Sequence, residues 1–144
     1  MNKQMVLSTL EELGFMTEEV GTSGYYFKFE DLGILYMPDD DDDFLRFAVP
    51  NIFEVTEENK PFVLDVINAV NLAIKYSKTC VNDDEVWIYY EYRVFGEEHL
   101  EEIVEHCMLL LQVTYALFYR KVEGDDTLPY ADEDNDDNDL EEEG

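Results

Sequence analysis

The sequence predicts a single α+β domain, with an antiparallel five-stranded sheet on which helices pack, in the order α-β-β-β-α-β-β-α. Three observations lead to this prediction. Two blocks of the chain show the alternation of apolar and polar residues that is typical of strands. Helical segments with wide apolar stripes follow both blocks. The chain has 144 residues, which suits one domain that buries a core without disulfides or metal ions.

The N-terminal part of the chain, up to Pro50, is predicted to form a helix followed by three strands. Apolar residues lie near helical spacing over residues 1–13. Strands are predicted from Gly24 onward, over residues 34–37 and over residues 44–49, and their short connections indicate an antiparallel meander. Pro50 is expected to end the third strand, because proline has no N–H to donate to a sheet.

The part of the chain after Pro50 is predicted to form a helix, a hairpin and a long helix. Thr56 is a candidate N-cap for the middle helix, which runs to about Lys78. A short strand is predicted over residues 79–82 and a longer one over residues 86–95. The last helix is predicted to begin at Glu97, with acidic residues in its first turn, where the helix dipole favours them.

Two side chains of the middle helix are candidates for a structural role. Asn68 and Asn71 lie three residues apart and so share one side of the helix. Asparagine forms helices poorly, and burying it without a partner is unfavourable. We expect these side chains either to face water or to bond to backbone at a helix–sheet or subunit contact.

The charge of the chain restricts its partners. It has 36 acidic and 9 basic residues and a net charge of −27. The basic residues are scattered, so the chain lacks the basic cluster with which proteins bind nucleic acid or an anionic membrane. We therefore expect neither nucleic acid nor membrane as a partner. A basic protein or a divalent cation is favoured, and the alternative is that the charge serves solubility alone.

Residues 125–144 contain eleven acidic residues and no lysine or arginine. Such a segment has too few apolar residues to form a core. The sequence therefore predicts a single α+β domain over residues 1–124 and a disordered acidic tail over residues 125–144.

The expected location is the cytoplasm. The first residues show no signal-peptide pattern, and no stretch approaches 18 uninterrupted apolar residues. Cys80 and Cys107 lie in apolar surroundings at a spacing that fits no metal site and no redox motif. They are expected to be reduced thiols.

Five consecutive aspartates, Asp39–Asp43, lie between the second and third predicted strands. Clustered carboxylates require water, so the run is expected to be an exposed turn that also discourages edge pairing. It lacks the central glycine and the distant glutamate of a calcium-binding EF-hand loop. Asp39, Asp41 and Asp43 are weak candidates for a divalent-cation site, and the loop could instead face a partner.

Catalysis has little support in the sequence. It contains no nucleophile elbow and no phosphate-binding loop. Glu102 and His106 share a face of the last helix, which is interpreted as a solvated face rather than a metal site. We predict no catalytic residue and no cofactor, and we expect that the chain is not an enzyme. An enzyme with a pocket that the sequence does not disclose is the remote alternative.

Aromatic residues supply the main indication of function. Trp87 and Tyr89 lie on the side of their strand opposite Val86 and Ile88, and Tyr26 is assigned to the outer side of the first strand. Trp and Tyr are enriched at binding hot spots, so these residues are candidates for partner binding. The alternative is that the last helix covers Trp87 and Tyr89 and makes them part of the core.

The last helix adds two further candidates. Its second half is apolar around much of its circumference, and it includes Met108 and Tyr115. An apolar excess of this kind suggests a contact with a partner protein or with a second copy of the chain. We therefore list Met108 and Tyr115 as partner-binding candidates and a homodimer as a possible assembly.

The order of elements resembles that of the YbjN-like family over about residues 1–122. The resemblance rests on FEVTEENKPFVLDVINAVN, which enters the middle helix, and on the hairpin VNDDEVWIYYEY that follows it. These bacterial proteins are described as sensory transduction regulators, with a fold like that of type III secretion chaperones. The resemblance implies an α+β domain that binds other proteins, often as a dimer. The acidic tail has no counterpart in the family pattern.

The function predicted from the sequence is a non-enzymatic protein–protein interaction module with a chaperone-like or regulatory role. A divalent-cation-responsive protein, using the aspartate run or the tail, is the alternative from another class.

Overall fold

The computed structural model of the chain describes residues 1–22, 24–41, 43–96 and 99–124. Within these ranges it confirms an α+β fold with three helices and an antiparallel sheet. The predicted tail, residues 125–144, lies outside the described residues, so the domain boundary stays a prediction. The elements are α1 (Lys3–Glu12), β1 (Glu18–Val20), β2 (Gly24–Phe29), β3 (Leu32–Tyr36), β4 (Phe44–Glu54), α2 (Lys60–Ala73), β5 (Ser77–Asn82), β6 (Glu85–Arg93) and α3 (Leu100–Val122).

Within the described residues, the sheet has six strands rather than the predicted five, in the order β1-β2-β3-β4-β6-β5. All neighbouring strands are antiparallel. The additional strand is β1, which pairs Glu18 with Tyr26 and Val20 with Gly24. Its sequence, EEV, is short and mostly exposed. It therefore lacks the apolar alternation from which strands are predicted.

Strand β4 does not end at Pro50 as predicted but continues to Glu54. The register between β4 and β6 shifts between Val49 and Phe53, so that Pro50 falls within an irregular stretch. Residues in a bulge lie outside the regular ladder, and a proline is tolerated there because its missing N–H breaks no ladder bond. The prediction failed because it treated proline as the end of a strand rather than as part of a bulge.

The ends of two helices also differ from prediction. Helix α2 ends at Ala73 rather than near Lys78, and Tyr76 has a positive φ of 72°. A right-handed helix cannot pass through that conformation. Helix α3 begins at Leu100 with His99 as its N-cap residue, whereas Glu97, the predicted start, lies outside the described residues.

The helices pack on one face of the sheet. That face carries buried side chains such as Phe27, Phe47 and Ile88, each at most 1% exposed. Helix α3 lies against it, with the ring of Phe118 at 5.7 Å from that of Phe53 between centroids. Helix α2 packs on α3 and β5, and α1 packs on α3. The molecule thus has two layers, and its core lies between the helices and one side of the sheet.

Asn71 joins α2 to the edge strand β5. Its Nδ2 donates a hydrogen bond to the carbonyl oxygen of Thr79 at 3.0 Å, and its Oδ1 accepts one from the N–H of Thr79 at 2.9 Å. The amide thereby pairs both backbone groups of one residue, as a neighbouring strand would. This is the helix–sheet role proposed for one of the two asparagines. Both residues are exposed, and Asn68 takes the alternative role of facing water.

We expect Asn71→Ala to lower the free energy of unfolding by about 1–3 kcal/mol, because Thr79 would lose both backbone partners. Asn68→Ala, on the same helix, is the matched control and should change it by less than about 0.5 kcal/mol. Urea unfolding followed by circular dichroism measures both. Equal effects of the two substitutions would contradict the assigned role of Asn71.

Candidate functional site

The face of the sheet opposite the helices carries a continuous row of apolar and aromatic residues. Tyr26 pairs with Leu35 across β2 and β3, Leu35 with Ala48 across β3 and β4, and Ala48 with Tyr89 across β4 and β6. Directly opposed residues in antiparallel strands project from the same face. We call this row, together with Trp87, the outer sheet face.

The side chains that contact α3 alternate with those of the outer sheet face. The hydroxyl of Tyr90 lies 3.1 Å from Nδ1 of His106 on α3. Ser77, the cross-strand partner of Tyr90, hydrogen-bonds Thr114 of α3 at 2.7 Å. Because alternate residues of a strand point to opposite sides, α3 lies on the side away from Trp87. The alternative in which α3 covers Trp87 is therefore not the arrangement observed.

Aromatic rings lie across the outer sheet face. A Cβ built on Gly33 would come within 2.5 Å of the Tyr26 hydroxyl, so the Tyr26 ring crosses β3 where the chain has no side chain. The rings of Trp87 and Tyr89 stack, with centroids 5.7 Å apart and an interplanar angle of 19°. The Tyr89 hydroxyl accepts a hydrogen bond from Asn82 Nδ2 at 3.0 Å. These contacts hold the rings in place in the free chain.

Two small apolar side chains under these rings are buried although no helix lies over them in the described residues. Leu35 is 6% exposed and Ala48 is not exposed at all. Leu35 is the direct neighbour of Tyr26, and Ala48 that of Tyr89. Since Tyr26, Trp87 and Tyr89 are themselves only half-buried, the rings both shield the row and present an apolar surface.

Charged residues of both signs surround this apolar centre. Glu91 accepts from Arg46 Nε at 3.1 Å and from Lys78 Nζ at 3.0 Å. Arg93 lies 3.9 Å from a carboxylate oxygen of Asp43. With Lys28, these cations are four of the nine basic residues in the chain. An apolar aromatic centre inside a charged rim is the usual anatomy of a protein interface.

The two candidates on α3 have different positions. Met108 is 1% exposed and belongs to the core, so its assignment to a partner-binding surface was wrong. The apolar second half of α3 is buried largely by the sheet and the other helices, which the sequence pattern alone could not show. Tyr115 is half-buried, and its ring lies 5.0 Å from that of Tyr119.

Tyr115 and Tyr26 line a common cleft that the sequence did not indicate. The cleft has a volume of about 340 Å³ and lies beside the bulge of β4, between Pro50 and the β2–β3 turn. Cross-strand pairing of β3 with β4 in the described residues is limited to Leu35 and Tyr36, so the two strands separate here. The signal that could have revealed the cleft was Pro50 within an otherwise regular strand.

In the aspartate run, Asp42 lies outside the described residues, and carboxylates among the other four aspartates have local partners. The N–H of Asp41 donates to Asp39 Oδ1 at 2.9 Å, and the N–H of Asp43 donates to Asp41 Oδ1 at 2.9 Å. Asp39 also lies 3.8 Å from Arg46. Across the described part of the chain, no group of three or more His, Cys, Asp or Glu side chains is arranged to hold a metal ion. A cation site at Asp39, Asp41 and Asp43 stays an untested prediction.

On the helix-bearing side, Tyr90 is a buried ionisable group with one imidazole partner. Its side chain is 1% exposed, and its hydroxyl hydrogen-bonds His106. Burial raises the pKa of Tyr90 far above its usual range, because the phenolate would be poorly solvated. Burial likewise raises the pKa of the Cys107 thiol. His106 itself is exposed, as the interpretation of a solvated helix face expected, and it also contacts the Tyr90 hydroxyl.

The fold of the chain is similar to that of a protein of known structure. No family model matches the chain, and no curated protein matches it. The crystal structure of YbjN, a proposed transcription regulator from E. coli, superposes with a TM-score of 0.62 at 14% sequence identity. The match covers 84% of this chain and 92% of YbjN. The chain therefore has a YbjN-like fold, as its element order indicated. No helix in the described ranges has the length and apolarity required to cross a membrane.

The raised pKa of Tyr90 predicts a dependence of stability on alkaline pH. Below about pH 10 the tyrosine is neutral in both folded and unfolded chains, and its contribution to stability is fully present. Above that pH the unfolded chain ionises first, so the contribution falls as the pH rises toward the folded-state pKa. We expect Tyr90→Phe to lose less stability than the wild type between about pH 8 and 11, as measured by urea unfolding. Parallel losses in the two proteins would contradict the assignment.

Proposed function

We propose that the chain is a non-enzymatic protein–protein interaction module that binds a cationic partner protein through the outer sheet face. The observation that carries the proposal is the stacked pair Trp87 and Tyr89, half-buried on the side of the sheet away from the helices. The uncovered face of an antiparallel sheet is normally polar. Here its centre is aromatic and apolar, and such residues dominate the energy of protein interfaces.

The charge of the chain supports a cationic partner over a second copy. Each chain has a net charge of −27, so two copies repel each other, whereas a basic protein is attracted and its association rate rises. The apolar stretch of α3 that suggested a homodimer also presents less apolar surface to a second copy, because Met108, Leu111 and Phe118 are buried within the monomer. A homodimer is accordingly an outcome to be tested rather than part of the proposal.

The solved structure of YbjN supports the regulatory form of the proposal. That protein is described as a proposed transcription regulator, and the shared fold makes a regulatory or interaction role reasonable for this chain. The chaperone-like form of the role rests on the sequence resemblance. We further propose a cytoplasmic location, which the two free cysteines, Cys80 and Cys107, support because unpaired thiols suit a reducing compartment.

Site-specific photocrosslinking tests the proposed surface. Benzoylphenylalanine is placed in the full-length chain at Tyr89, within the outer sheet face, or at Leu72 on α2, where the native side chain is 81% exposed. After irradiation in the cells of its own host, we expect a discrete adduct from position 89 and none from position 72. Mass spectrometry identifies the partner and its charge. When irradiation is carried out in a lysate instead, raising the ionic strength before irradiation should lower the yield of the adduct, since screening shortens the range of electrostatic attraction.

Several outcomes would overturn the proposal. An adduct of two copies of this chain at position 89 would replace the cationic partner with a homodimer. An equal or stronger adduct at position 72 would move the binding surface to α2. No adduct at position 89, or at a second probe placed at Trp87, would remove the outer sheet face as an interface.

A further inference from the structure

A second candidate site lies on the opposite side of the sheet, where α2 ends and α3 crosses β6. A cavity of about 260 Å³ is lined there by Tyr76, Tyr90, Tyr92, Glu102, Ile103 and His106. A neighbouring cavity of about 340 Å³ shares Tyr76 and His106 with it. The rest of its wall is apolar apart from Lys75 and includes Ile74, Leu110 and Val113. The two form one groove, and the proposed interaction surface includes none of its residues.

Three tyrosine rings form the wall of the first cavity. The ring centroids of Tyr76 and Tyr90 are 6.2 Å apart, those of Tyr90 and Tyr92 are 6.4 Å apart, and both pairs have interplanar angles of 24°. The His106 ring lies 5.1 Å from Tyr76 at an angle of 88°. The hydrogen bond between the Tyr90 hydroxyl and His106 Nδ1 fixes the ring of Tyr90, the central one of the three. The cavity is therefore an open surface groove with an aromatic wall, in which Tyr90 is buried and Tyr76 and His106 are exposed.

The backbone is strained at Tyr76, one of the three tyrosines of this wall. Its φ of 72° lies in the left-handed region, which a bulky residue rarely adopts and a glycine adopts freely. The side chain is 58% exposed, so burial of the ring does not explain why a tyrosine occupies this position. Strain of this kind concentrates at functional sites, where the surrounding structure maintains it.

The chemistry of the cavity favours an organic cation. Aromatic faces attract positive charge through their quadrupole, and methylated ammonium groups are the ligands that such surfaces recognise most readily. Glu102 adds a carboxylate at the same cavity, and the net charge of −27 raises the local concentration of cations. A magnesium or calcium ion is a poorer match, because it requires several oxygen ligands, and the lining offers one carboxylate, that of Glu102, beside neutral tyrosine hydroxyls.

We propose that the groove formed by Tyr76, Tyr92 and Glu102, with the buried ring of Tyr90 behind them, binds a small organic cation of the quaternary ammonium type. The cationic group lies against the tyrosine rings beside Glu102. Any apolar extension of the ligand enters the neighbouring cavity beside Leu110 and Val113.

Choline and its neutral isostere 3,3-dimethylbutan-1-ol test the proposal, because they have nearly the same shape and differ in charge. Each is titrated into the full-length protein at constant ionic strength, and the tyrosine ring resonances are followed by NMR. We expect choline to shift a subset of ring resonances saturably and to bind at least about tenfold more tightly than the isostere, a ratio within the range of cation–π energies.

Variants assign the site. Tyr92→Leu and Glu102→Gln should each weaken choline binding several-fold, whereas Tyr115→Leu and Glu101→Gln, on α3 outside the groove, are matched controls and should not. Tyr76→Gly should weaken binding while the protein stays folded, since glycine accepts the backbone conformation. Equal affinity for choline and its isostere would overturn the proposal, as would shifts that never saturate. Binding that survives Tyr92→Leu and Glu102→Gln would also overturn it.

Discussion

The pairing of β4 with β6 is the constraint on which the other features of the molecule depend. It joins the meander of β1 to β4 to the hairpin of β5 and β6, two segments that α2 separates along the chain. The register of that pairing puts Ala48 opposite Tyr89 and Phe47 opposite Tyr90. Because side chains alternate along a strand, a slip of one residue would exchange the two faces and place Trp87 in the core. The register thus decides both what the helices bury and what the sheet presents.

The two faces of the sheet have different physical roles as a result. One face is closed by the helices, and it carries few polar groups. Asn71 pairs with the backbone of Thr79 and Ser77 pairs with Thr114, whereas the buried hydroxyl of Thr79 has no hydrogen-bond partner in the described residues. The other face has no helix over it in the described part of the chain, and it shields its small apolar residues with aromatic rings. Those rings are held by Gly33, by stacking and by Asn82. A surface of this kind is preorganised, so a partner need not order it on binding.

Much of this arrangement follows from the sequence, and the exceptions have physical reasons. Periodicity assigned Trp87, Tyr89 and Tyr26 to the outer side correctly, because alternation along a strand is a local property. It could not place Met108, because whether an apolar residue of α3 is covered depends on how α1 and α2 pack. It missed β1, because the three residues of β1 show no strand pattern of their own and form a strand only by pairing with β2. It also missed the contacts around Tyr76 and His106, which lie far apart in sequence and meet only once β6 and α3 are in place.

Quenching of tryptophan fluorescence by acrylamide tests the central claim most directly, that the aromatic row lies on an uncovered face. Trp87 is the only tryptophan in the chain, so its emission reports on this face alone. The account predicts that acrylamide quenches the emission of the free protein in proportion to its concentration, and that the bound partner protects it. A blue-shifted emission that resists acrylamide in the free monomer would mean that Trp87 is already covered, and would contradict the account.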